Sequence, residues 1–281
     1  MRTVRLALLL LAALVMVGCP KSEKNLVYGT RGPDYQSIVS LSPSSTEVVA
    51  RWCAYQKLKG RTAADKWPNY VSAATVVVDS TKPDYEKILS LKADLVVFDP
   101  LLYSEAEIAK IKELKIETFV WDPKNIDEMI DLLYKIGAMT RSELNCSGYV
   151  DKIIAARGEA TSQALSPMPR VALVLPGVGS EHMIVGTNSF QADELKAAGG
   201  EPVGPASDRF VPLNPEELIT LNPDAIIVAG DATPILNDPK LQSIKAIQNK
   251  RVLGLAADAC LRRGGRVDQF IIAAGKFLRT K

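Results

Sequence analysis

Few residues in this chain have the types and spacing that chemistry at a metal or a nucleophile requires. His182 is the only histidine among 281 residues, whereas a transition-metal site usually combines several histidine, aspartate or glutamate ligands. A serine or cysteine nucleophile would have only this one candidate base, and no catalytic motif surrounds it. The sequence therefore predicts no metal site, no catalytic residues, no cofactor and no enzyme. Axial ligation of a haem iron or a cobalt ion by His182 stays open as an alternative to an ordinary loop histidine.

A glycine-rich stretch, Pro176-Gly-Val-Gly-Ser-Glu-His182, leads to this histidine. It imitates a dinucleotide-binding fingerprint, but the final glycine is missing and no acidic partner follows at the usual distance. The chain also has no Gly-x-Ser-x-Gly elbow and no phosphate-binding lysine loop. We interpret the stretch as a loop between two strands.

Three cysteines follow the first nineteen residues: Cys53, Cys146 and Cys260. Their number is odd, their spacing is wide, and no CxxC pair exists. A disulfide is possible in an oxidising compartment, but the sequence cannot choose a pair. Buried free thiols are the interpretation that we favour.

Four arginines lie in loops of the second half: Arg209, Arg262, Arg263 and Arg266. Guanidinium groups suit carboxylate or phosphate groups of a ligand, but we expect at least two of the four to form a solvated basic rim. The net charge is only +2, and no basic arm or aromatic-interleaved basic stripe occurs. A nucleic-acid partner is therefore not expected.

Secondary-structure elements must hold these residues in place. Along the sequence, segments with helical periodicity alternate with continuous apolar segments, which is typical of a mainly parallel sheet. Leu95 to Phe98 is a strong predicted strand, and the residues from Ile126 to Ile136 form a predicted helix that Gly137 ends. Capping boxes are predicted at Ser44–Glu47 and at Ser104–Glu107.

A longer helix is predicted from Arg141 to Ala164. Thr140–Glu143 fits a third capping box, and Ser166-Pro167 ends the run because proline lacks an N–H and clashes with the preceding turn. At about 1.5 Å per residue, such a helix would be roughly 36 Å long.

The segments on either side of this helix look alike. Glu86 to Val97 and Glu216 to Ile227 place a glutamate, an apolar pair, a leucine, an aspartate and an apolar run in the same register. We infer an α/β fold of two Rossmann-like lobes joined by one long backbone helix. The predicted boundaries are a signal segment at 1–19, a tether at 20–35, an N-terminal α/β lobe at 36–139, the linking helix at 140–166 and a C-terminal α/β lobe at 167–281.

The first nineteen residues are predicted to be a targeting segment. Arg2 and Arg5 precede an apolar run from Leu6 to Val17, and the ending at Cys19 resembles a bacterial lipoprotein signal. The resemblance implies that Cys19 is lipidated and becomes the N-terminus. An ordinary signal peptide or an uncleaved anchor stays open. We expect the folded part in the cell envelope, either lipid-anchored to the outer face of the cytoplasmic membrane or in the periplasm.

The stretch Ile38-Val-Ser-Leu-Ser-Pro-Ser-Ser-Thr-Glu47, with the paired segments beginning at Glu86 and Glu216, resembles the helical-backbone substrate-binding proteins of ABC importers. Cobalamin-binding members are the most similar, and ferric-siderophore and haem binders belong to the same family. The resemblance covers about residues 36 to 278. It implies two lobes braced by one helix, a ligand in the cleft between them, and a permease with its ATPase as partners. The predicted function is capture of cobalamin (vitamin B12) or a related corrinoid by a monomer, with haem or a ferric siderophore as the alternative.

Candidate ligand-binding residues come from the loops after predicted strands, where aromatic and thioether surfaces suit a large planar ring. They are Ser42, Asp65, Trp67, Tyr103, Trp121, Met183, Phe210 and Asp258. The resemblance implies that Glu86 and Glu216 dock the two lobes onto permease arginines. The alternatives are a surface sensor without permease contacts, or solvated glutamates that the helix dipole favours.

Overall fold

The computed structural model describes residues 33–80, 82–178 and 181–280, which group together as one compact unit. The predicted signal segment, the lipidation site Cys19 and the tether up to residue 32 lie outside the described residues. Among those described, no helix combines the length and apolar composition needed to cross a membrane.

The first lobe has a fully parallel sheet. Its strands are β1 (Ile38–Ser40), β2 (Leu58–Thr62), β3 (Thr75–Val78), β4 (Leu95–Phe98) and β5 (Glu117–Val120). They lie in the order β3-β2-β1-β4-β5. Strand β4 lies between β1 and β5 and is buried along its whole length, so its sequence is a continuous apolar run. The helices of this lobe are α1 (Pro43–Trp52), α2 (Tyr85–Ser90), α3 (Glu105–Glu113) and α4 (Ile126–Thr140), with 3-10 turns at Tyr55–Lys57, Asn69–Ala73 and Pro100–Leu102.

The second lobe follows the linking helix α5 (Glu143–Ser162). Its strands are β6 (Arg170–Leu175), β7 (Met183–Val185), β8 (Glu201–Pro202), β9 (Phe210–Pro212), β10 (Ala225–Ala229) and β11 (Val252–Leu255). The sheet order is β11-β10-β6-β7-β9, with β8 paired to β6. Strand β7 runs antiparallel to β6, and β9 runs antiparallel to β7. The helices are α6 (Phe190–Ala197), α7 (Pro215–Leu221), α8 (Thr233–Leu236), α9 (Lys245–Gln248), α10 (Ala257–Leu261) and α11 (Val267–Arg279), with a 3-10 turn at Pro239–Leu241.

The repeated aspartates hold equivalent places in the two lobes. Asp94 precedes β4, and its carboxylate accepts hydrogen bonds from the backbone N–H groups of Gln36 (2.7 Å) and Ser37 (2.9 Å) beside the start of β1. Asp224 precedes β10 and accepts from the N–H of Arg170 (3.0 Å) at the start of β6. Each aspartate therefore ties the beginnings of two neighbouring parallel strands together, which explains why the pattern recurs.

The linking helix α5 contains 20 residues and is about 30 Å long at about 1.5 Å per residue. It packs against α4 of the first lobe on one side and against α11 of the second lobe on the other. One apolar core runs from the first sheet through α5 to the second lobe, and the other face of each sheet has a smaller core of its own. The prediction of two α/β lobes joined by a long helix is confirmed.

The ends of this helix were predicted too widely, and the capping box at Thr140–Glu143 is wrong. The Thr140 hydroxyl donates to the carbonyl of Ile136 (2.8 Å) within α4. Ser142 stands at the N-cap of α5 and makes no capping bond with its side chain. A threonine hydroxyl inside a helix donates to a carbonyl of the preceding turn. Thr140 is the last residue of α4, so its hydroxyl bonds within α4 and does not cap α5.

Gly137 does not end α4, which continues to Thr140. The helix ends at Arg141, whose φ of 52° places it in the left-handed region. Gly137 is needed for close packing instead, because a Cβ atom there would lie 3.0 Å from the Cβ atom of Cys146 in α5.

The capping box predicted at Ser44–Glu47 is also wrong. Helix α1 begins at Pro43, and the N-cap is Ser42, whose hydroxyl accepts from the N–H of Ser45 (3.2 Å). The Glu47 side chain is buried and does not reach back to the helix start. By contrast, the box at Ser104–Glu107 is confirmed, with both reciprocal hydrogen bonds present.

Candidate ligand-binding site between the lobes

The loops that follow the parallel strands of both lobes meet at one short segment of the chain. In open α/β sheets, ligands bind beyond the carboxyl ends of the strands. The residues Arg262–Arg266, here called the arginine segment, join α10 to α11 in the second lobe. Their side chains and backbone bind residues that follow β2, β4 and β5 of the first lobe, as the next contacts describe.

Three acidic residues of the first lobe bind the arginine segment. Glu47 on α1 accepts from Arg262 Nη1 (3.0 Å) and Arg266 Nη2 (2.5 Å). Arg263 pairs with Asp99 after β4 and with Asp122 after β5, at 2.6 Å from the latter. The side chain of Glu47 is 1% exposed and those of the three arginines are 11–12% exposed.

Aromatic donors fix the backbone of the same segment. The carbonyl of Arg263 accepts from Trp121 Nε1 (2.7 Å), that of Gly264 from the hydroxyl of Tyr149 (2.8 Å), and that of Gly265 from Trp52 Nε1 (2.9 Å). Three consecutive carbonyls are thus held by the first lobe and the linking helix.

Close approach explains the two glycines of the segment. A Cβ atom at Gly264 would lie 2.9 Å from Glu47 Oε2 and 3.0 Å from the carbonyl oxygen of Ser44. A Cβ atom at Gly265 would lie 3.1 Å from both the Glu47 carbonyl oxygen and the Trp67 ring. Neither position has room for a side chain while the guanidinium groups reach Glu47.

The prediction of a solvated rim for at least two of the four arginines is therefore wrong. Arg262, Arg263 and Arg266 are mostly buried ion-pair partners, and only the side chain of Arg209, at 72% exposed, lies in solvent beside Asp208. Nothing in the sequence indicates that the arginines pair with Glu47 and Asp122, which lie more than a hundred residues away along the chain.

Three of the candidate ligand residues are buried and engaged within the protein. Ser42 caps α1, and the Trp121 ring is fully buried with its N–H bonded to Arg263. Asp65 accepts from the hydroxyls of Thr46 (2.7 Å) and Thr62 (2.8 Å). Burial raises the pKa of Asp65, and these hydrogen bonds oppose that shift.

Three further candidates are half-buried, and two of them, Trp67 and Asp258, contact the arginine segment. Trp67 lies under the guanidinium group of Arg266, 4.8 Å from the ring centroid. Tyr103 donates its hydroxyl to the carbonyl of Leu41 (2.5 Å), and burial raises the pKa of that phenol. Asp258 bonds Arg262 (2.9 Å), so it takes part in the same ionic cluster.

The last two candidates, Met183 and Phe210, lie at different distances from the ligand edge of the second sheet. Met183 is opposite Leu175, at the carboxyl end of β6, and therefore stands at the ligand edge of the second sheet. Phe210 pairs with Val185 on the far side of β7, away from that edge, and packs against the main core.

His182 is 2% exposed and sits inside the second lobe. Its Nδ1 accepts from the N–H of Gly177 (3.1 Å), and its Nε2 lies 3.4 Å from a carboxylate oxygen of buried Asp238. Both ring nitrogens thus face protein groups. No cluster of three or more metal-ligating side chains occurs within the described ranges.

Exposed apolar side chains border the strand-end loops, and sequence reasoning missed them. On the first lobe they are Leu101, Leu102 and Val120, which are 62%, 53% and 46% exposed, and on the second lobe Val178 is 91% exposed. The two leucines directly follow Pro100 after a predicted strand, so the sequence alone could have placed them in a strand-end loop. A separate cavity of about 300 Å³ beside Tyr55 and Thr75 lies at the starts of β2 and β3, the opposite edge of the sheet.

The two glutamates predicted to dock a permease occupy matching positions. Glu86 is the second residue of α2 and Glu216 the second residue of α7, and both are exposed. Each is followed nine positions later by the first residue of an interior strand, at Leu95 and Ala225. The two side chains are thus presented alike by the two lobes.

Comparisons with known proteins give the same architecture. The chain is 23% identical, over 93% of its length and 92% of the relative, to an uncharacterised ABC transporter substrate-binding lipoprotein, YvrC, of Bacillus subtilis (strain 168). It is 21% identical, over 79% of its length and 75% of the relative, to the high-affinity heme uptake system protein IsdE of Staphylococcus aureus (strain bovine RF122 / ET3-1). These names describe binding and transport proteins rather than enzymes.

Among solved structures, the periplasmic vitamin B12 binding protein BtuF of Vibrio cholerae superposes with a TM-score of 0.77 at 19% identity, covering 88% of this chain and 98% of that one. This likeness establishes a two-lobed binding-protein fold. The family model described as periplasmic binding protein matches residues 38–259, most of the chain. On this match, the chain belongs to the periplasmic binding protein family.

Proposed function

We propose that the chain is the extracytoplasmic substrate-binding protein of an ABC importer, and that it captures cobalamin or a related corrinoid between its lobes. The observation that carries this proposal is the contact of the first lobe's strand-end loops with the arginine segment of the second lobe. Half-buried Trp67 contacts this segment, and half-buried Met183 and exposed Leu101 and Val178 follow or flank strand ends of the two lobes. Apolar and aromatic surfaces of this kind suit a large, flat, mostly apolar ring.

Two features favour a corrinoid over haem. Protein-bound haem iron needs an axial side chain such as histidine, methionine or tyrosine. His182 is enclosed and the Tyr103 hydroxyl is bonded to Leu41, which leaves Met183 as the axial candidate at the ligand edge. Haem propionates would need free arginines, whereas Arg262 and Arg263 are already paired with carboxylates. A corrinoid, whose metal can carry its own axial ligands, does not depend on either group.

Haem or a ferric siderophore remains the second candidate. The heme uptake protein IsdE is among the relatives. Met183 is only half-buried at the ligand edge, so its thioether is free to bind such a ligand.

Delivery to the membrane completes the proposal. Lipidation at Cys19 would hold the monomer at the outer face of the cytoplasmic membrane, and Glu86 and Glu216 would bind arginines of the permease, which its ATPase drives. Carboxylates at an exposed rim steer association and form charge-assisted hydrogen bonds.

The test is titration of the purified protein with cobalamin, haem and ferric siderophores, followed by calorimetry and absorbance spectra. We expect saturable cobalamin binding that Trp67→Ala weakens by about tenfold or more, consistent with loss of one aromatic contact of about 1.5 kcal/mol. Tyr55→Ala, at the opposite edge of the sheet, should leave binding unchanged. Binding of haem or siderophore alone would select the second candidate, and binding of none of the three would exclude the ligand class.

A further inference from the structure

Two of the three buried cysteines face each other across the joint between the first lobe and the linking helix. Cys53 is the C-cap residue of α1, and Cys146 lies in the first turn of α5. Their Sγ atoms are 3.6 Å apart, and the residues are 6% and 0% exposed. Both are free thiols in this structure.

Neighbouring groups keep the two sulfur atoms in this position. The Cys146 Sγ lies 3.4 Å from the carbonyl oxygen of Trp52. The Trp52 ring stacks on Tyr149, one turn further along α5, with centroids 4.3 Å apart and an interplanar angle of 3°. Gly137 leaves the space that the Cys146 side chain fills, because a Cβ atom there would be 3.2 Å from its Sγ. The pairing is therefore built into the packing of α1, α4 and α5.

We propose that Cys53 and Cys146 form a disulfide in the exported protein. The bond requires the sulfur atoms to approach from 3.6 Å to about 2.05 Å, a small movement for side chains already in contact. The inference rests on the extracytoplasmic location in the proposed function, since disulfides persist in oxidising compartments. Cys260 is equally buried, but no other described cysteine lies within hydrogen-bonding distance of its sulfur.

The reaction is thiol–disulfide exchange with a disulfide-bearing protein oxidant of the cell envelope. One thiolate attacks the oxidant's disulfide and forms a mixed disulfide, and the second thiolate then displaces the oxidant's sulfur. Two protons leave the cysteines, and the two electrons remain in the oxidant, which becomes a dithiol. Because the hydrogen bond to Cys53 and burial raise the pKa of the Cys146 thiol, little thiolate exists once the pair is packed. The bond should therefore form while the exported chain folds.

The disulfide would fix α1 to the linking helix. Helix α1 carries Glu47 and Trp52, which hold the arginine segment of the second lobe. A covalent bond at its last turn would close a long loop of the first lobe, and such cross-links stabilise chiefly by restricting the unfolded chain.

The test uses full-length protein recovered from the cell envelope, with thiols blocked by an alkylating reagent before lysis. After unfolding without reductant, we expect a proteolytic fragment in which a disulfide joins the peptides of Cys53 and Cys146. The alkylating reagent should modify Cys260 instead. Cys260→Ala should keep this fragment, and Cys53→Ala should lose it. Alkylation of both Cys53 and Cys146 without prior reduction would overturn the proposal, even if the variants fail to fold.

A second measurement compares purified protein that has been refolded in the presence of oxidised glutathione or of a dithiol reductant. We expect oxidation to raise the thermal midpoint of wild type and of Cys260→Ala, and to leave that of Cys146→Ala unchanged. Equal midpoints for oxidised and reduced wild type would contradict the proposed bond. Cobalamin titration of the same samples keeps the two proposals separate, because failure to bind ligand would not alter the thiol count.

Discussion

Glu194 is a buried acid with no hydrogen-bond partner among the described residues. It is 0% exposed, and neither carboxylate oxygen has a donor within reach. One turn earlier on α6, Gln191 donates to the carbonyl of Leu261, so this face of the helix points toward α10 and the arginine segment. Burial raises the pKa of Glu194 well above its usual range, and the nearby charge of Asp193 adds to the shift. Burial therefore favours the neutral form of this carboxyl group.

Glu194→Gln should flatten the dependence of stability on pH. The unfolded chain releases this proton near the ordinary glutamate pKa, whereas the folded chain keeps it to higher pH. The free energy of unfolding from this group is therefore greatest below the unfolded pKa and falls as pH rises toward the folded pKa, by at most about 1.4 kcal/mol per pH unit. Glutamine has a similar shape and no charge, so the variant should gain stability relative to wild type as pH rises. Urea unfolding at about pH 5 and about pH 8 would measure this difference.

The control is Glu113→Gln, at the exposed end of α3, which should change stability little and equally at both pH values. A Glu194→Gln variant that is less stable than wild type by the same amount at both pH values would contradict the neutral carboxyl.

Residue types could be predicted from the sequence better than residue roles. Glu47 fits a local capping pattern, but its partners Arg262 and Arg266 are more than two hundred positions away. Local patterns are recognisable because their partners are three or four residues apart, and no such rule connects α1 to the segment after α10. The burial of His182 and Trp121 is hidden in the sequence for the same reason.

At the scale of elements, the arginine segment is the connection that holds the lobes in register. Its guanidinium groups bind α1 and the loops after β4 and β5, and its carbonyls bind two tryptophans and the linking helix. Removing one member of a buried ion pair costs more than the pair contributes, because the remaining charge stays buried and unpaired.

Glu47→Gln should therefore destabilise the protein strongly. The side chain is 1% exposed and faces two guanidinium groups and the N–H of Gly265. We expect a loss of about 3–5 kcal/mol in the free energy of unfolding, measured by urea denaturation. Glu113→Gln, which removes an exposed charge, should cost less than about 0.5 kcal/mol. Equal small effects of the two substitutions would show that the cluster is solvated after all.

Elements with strong local patterns were predictable, and their ends were not. The repeat that begins at Glu86 and Glu216 identified two equivalent helix–strand units, because the aspartates repeat a backbone contact inside each lobe. The boundary between α4 and α5 was misplaced, because Thr140 bonds within the earlier helix and Arg141 takes a left-handed conformation. Helix ends depend on single side-chain choices that periodicity does not record.

At the scale of the whole molecule, α5 is a structural layer shared by both lobes. The apolar core continues across it from β1 and β4 to α11 and the second sheet. A joint made of packed helices and buried ion pairs resists large hinge rotations, because each opening would expose apolar surface and unpaired charge. The molecule is therefore suited to present two exposed rims, the surfaces that carry Glu86 and Glu216, at a nearly fixed separation.

The glutamates on these rims allow the last test of the proposed transport. Glu86→Lys combined with Glu216→Lys should leave cobalamin binding unchanged and abolish uptake, because both docking carboxylates become like charges to the permease arginines. Each reversal opposes a helix dipole, at about 0.3–1 kcal/mol per site, too little to unfold the protein. Glu113→Lys, which reverses an exposed charge away from the rims, should transport normally.

Uptake of labelled ligand by cells that contain each variant as the only binding protein would measure the effect, with calorimetry of the purified variants alongside. Normal uptake by the double variant would favour a surface sensor, since a sensor needs no contact with a permease. Loss of uptake together with loss of binding would indicate damage to the fold rather than to docking. Only retained binding with lost uptake assigns the two glutamates to contacts with the permease. Equivalent positions on two lobes held at a fixed separation can engage two sites on the permease at once.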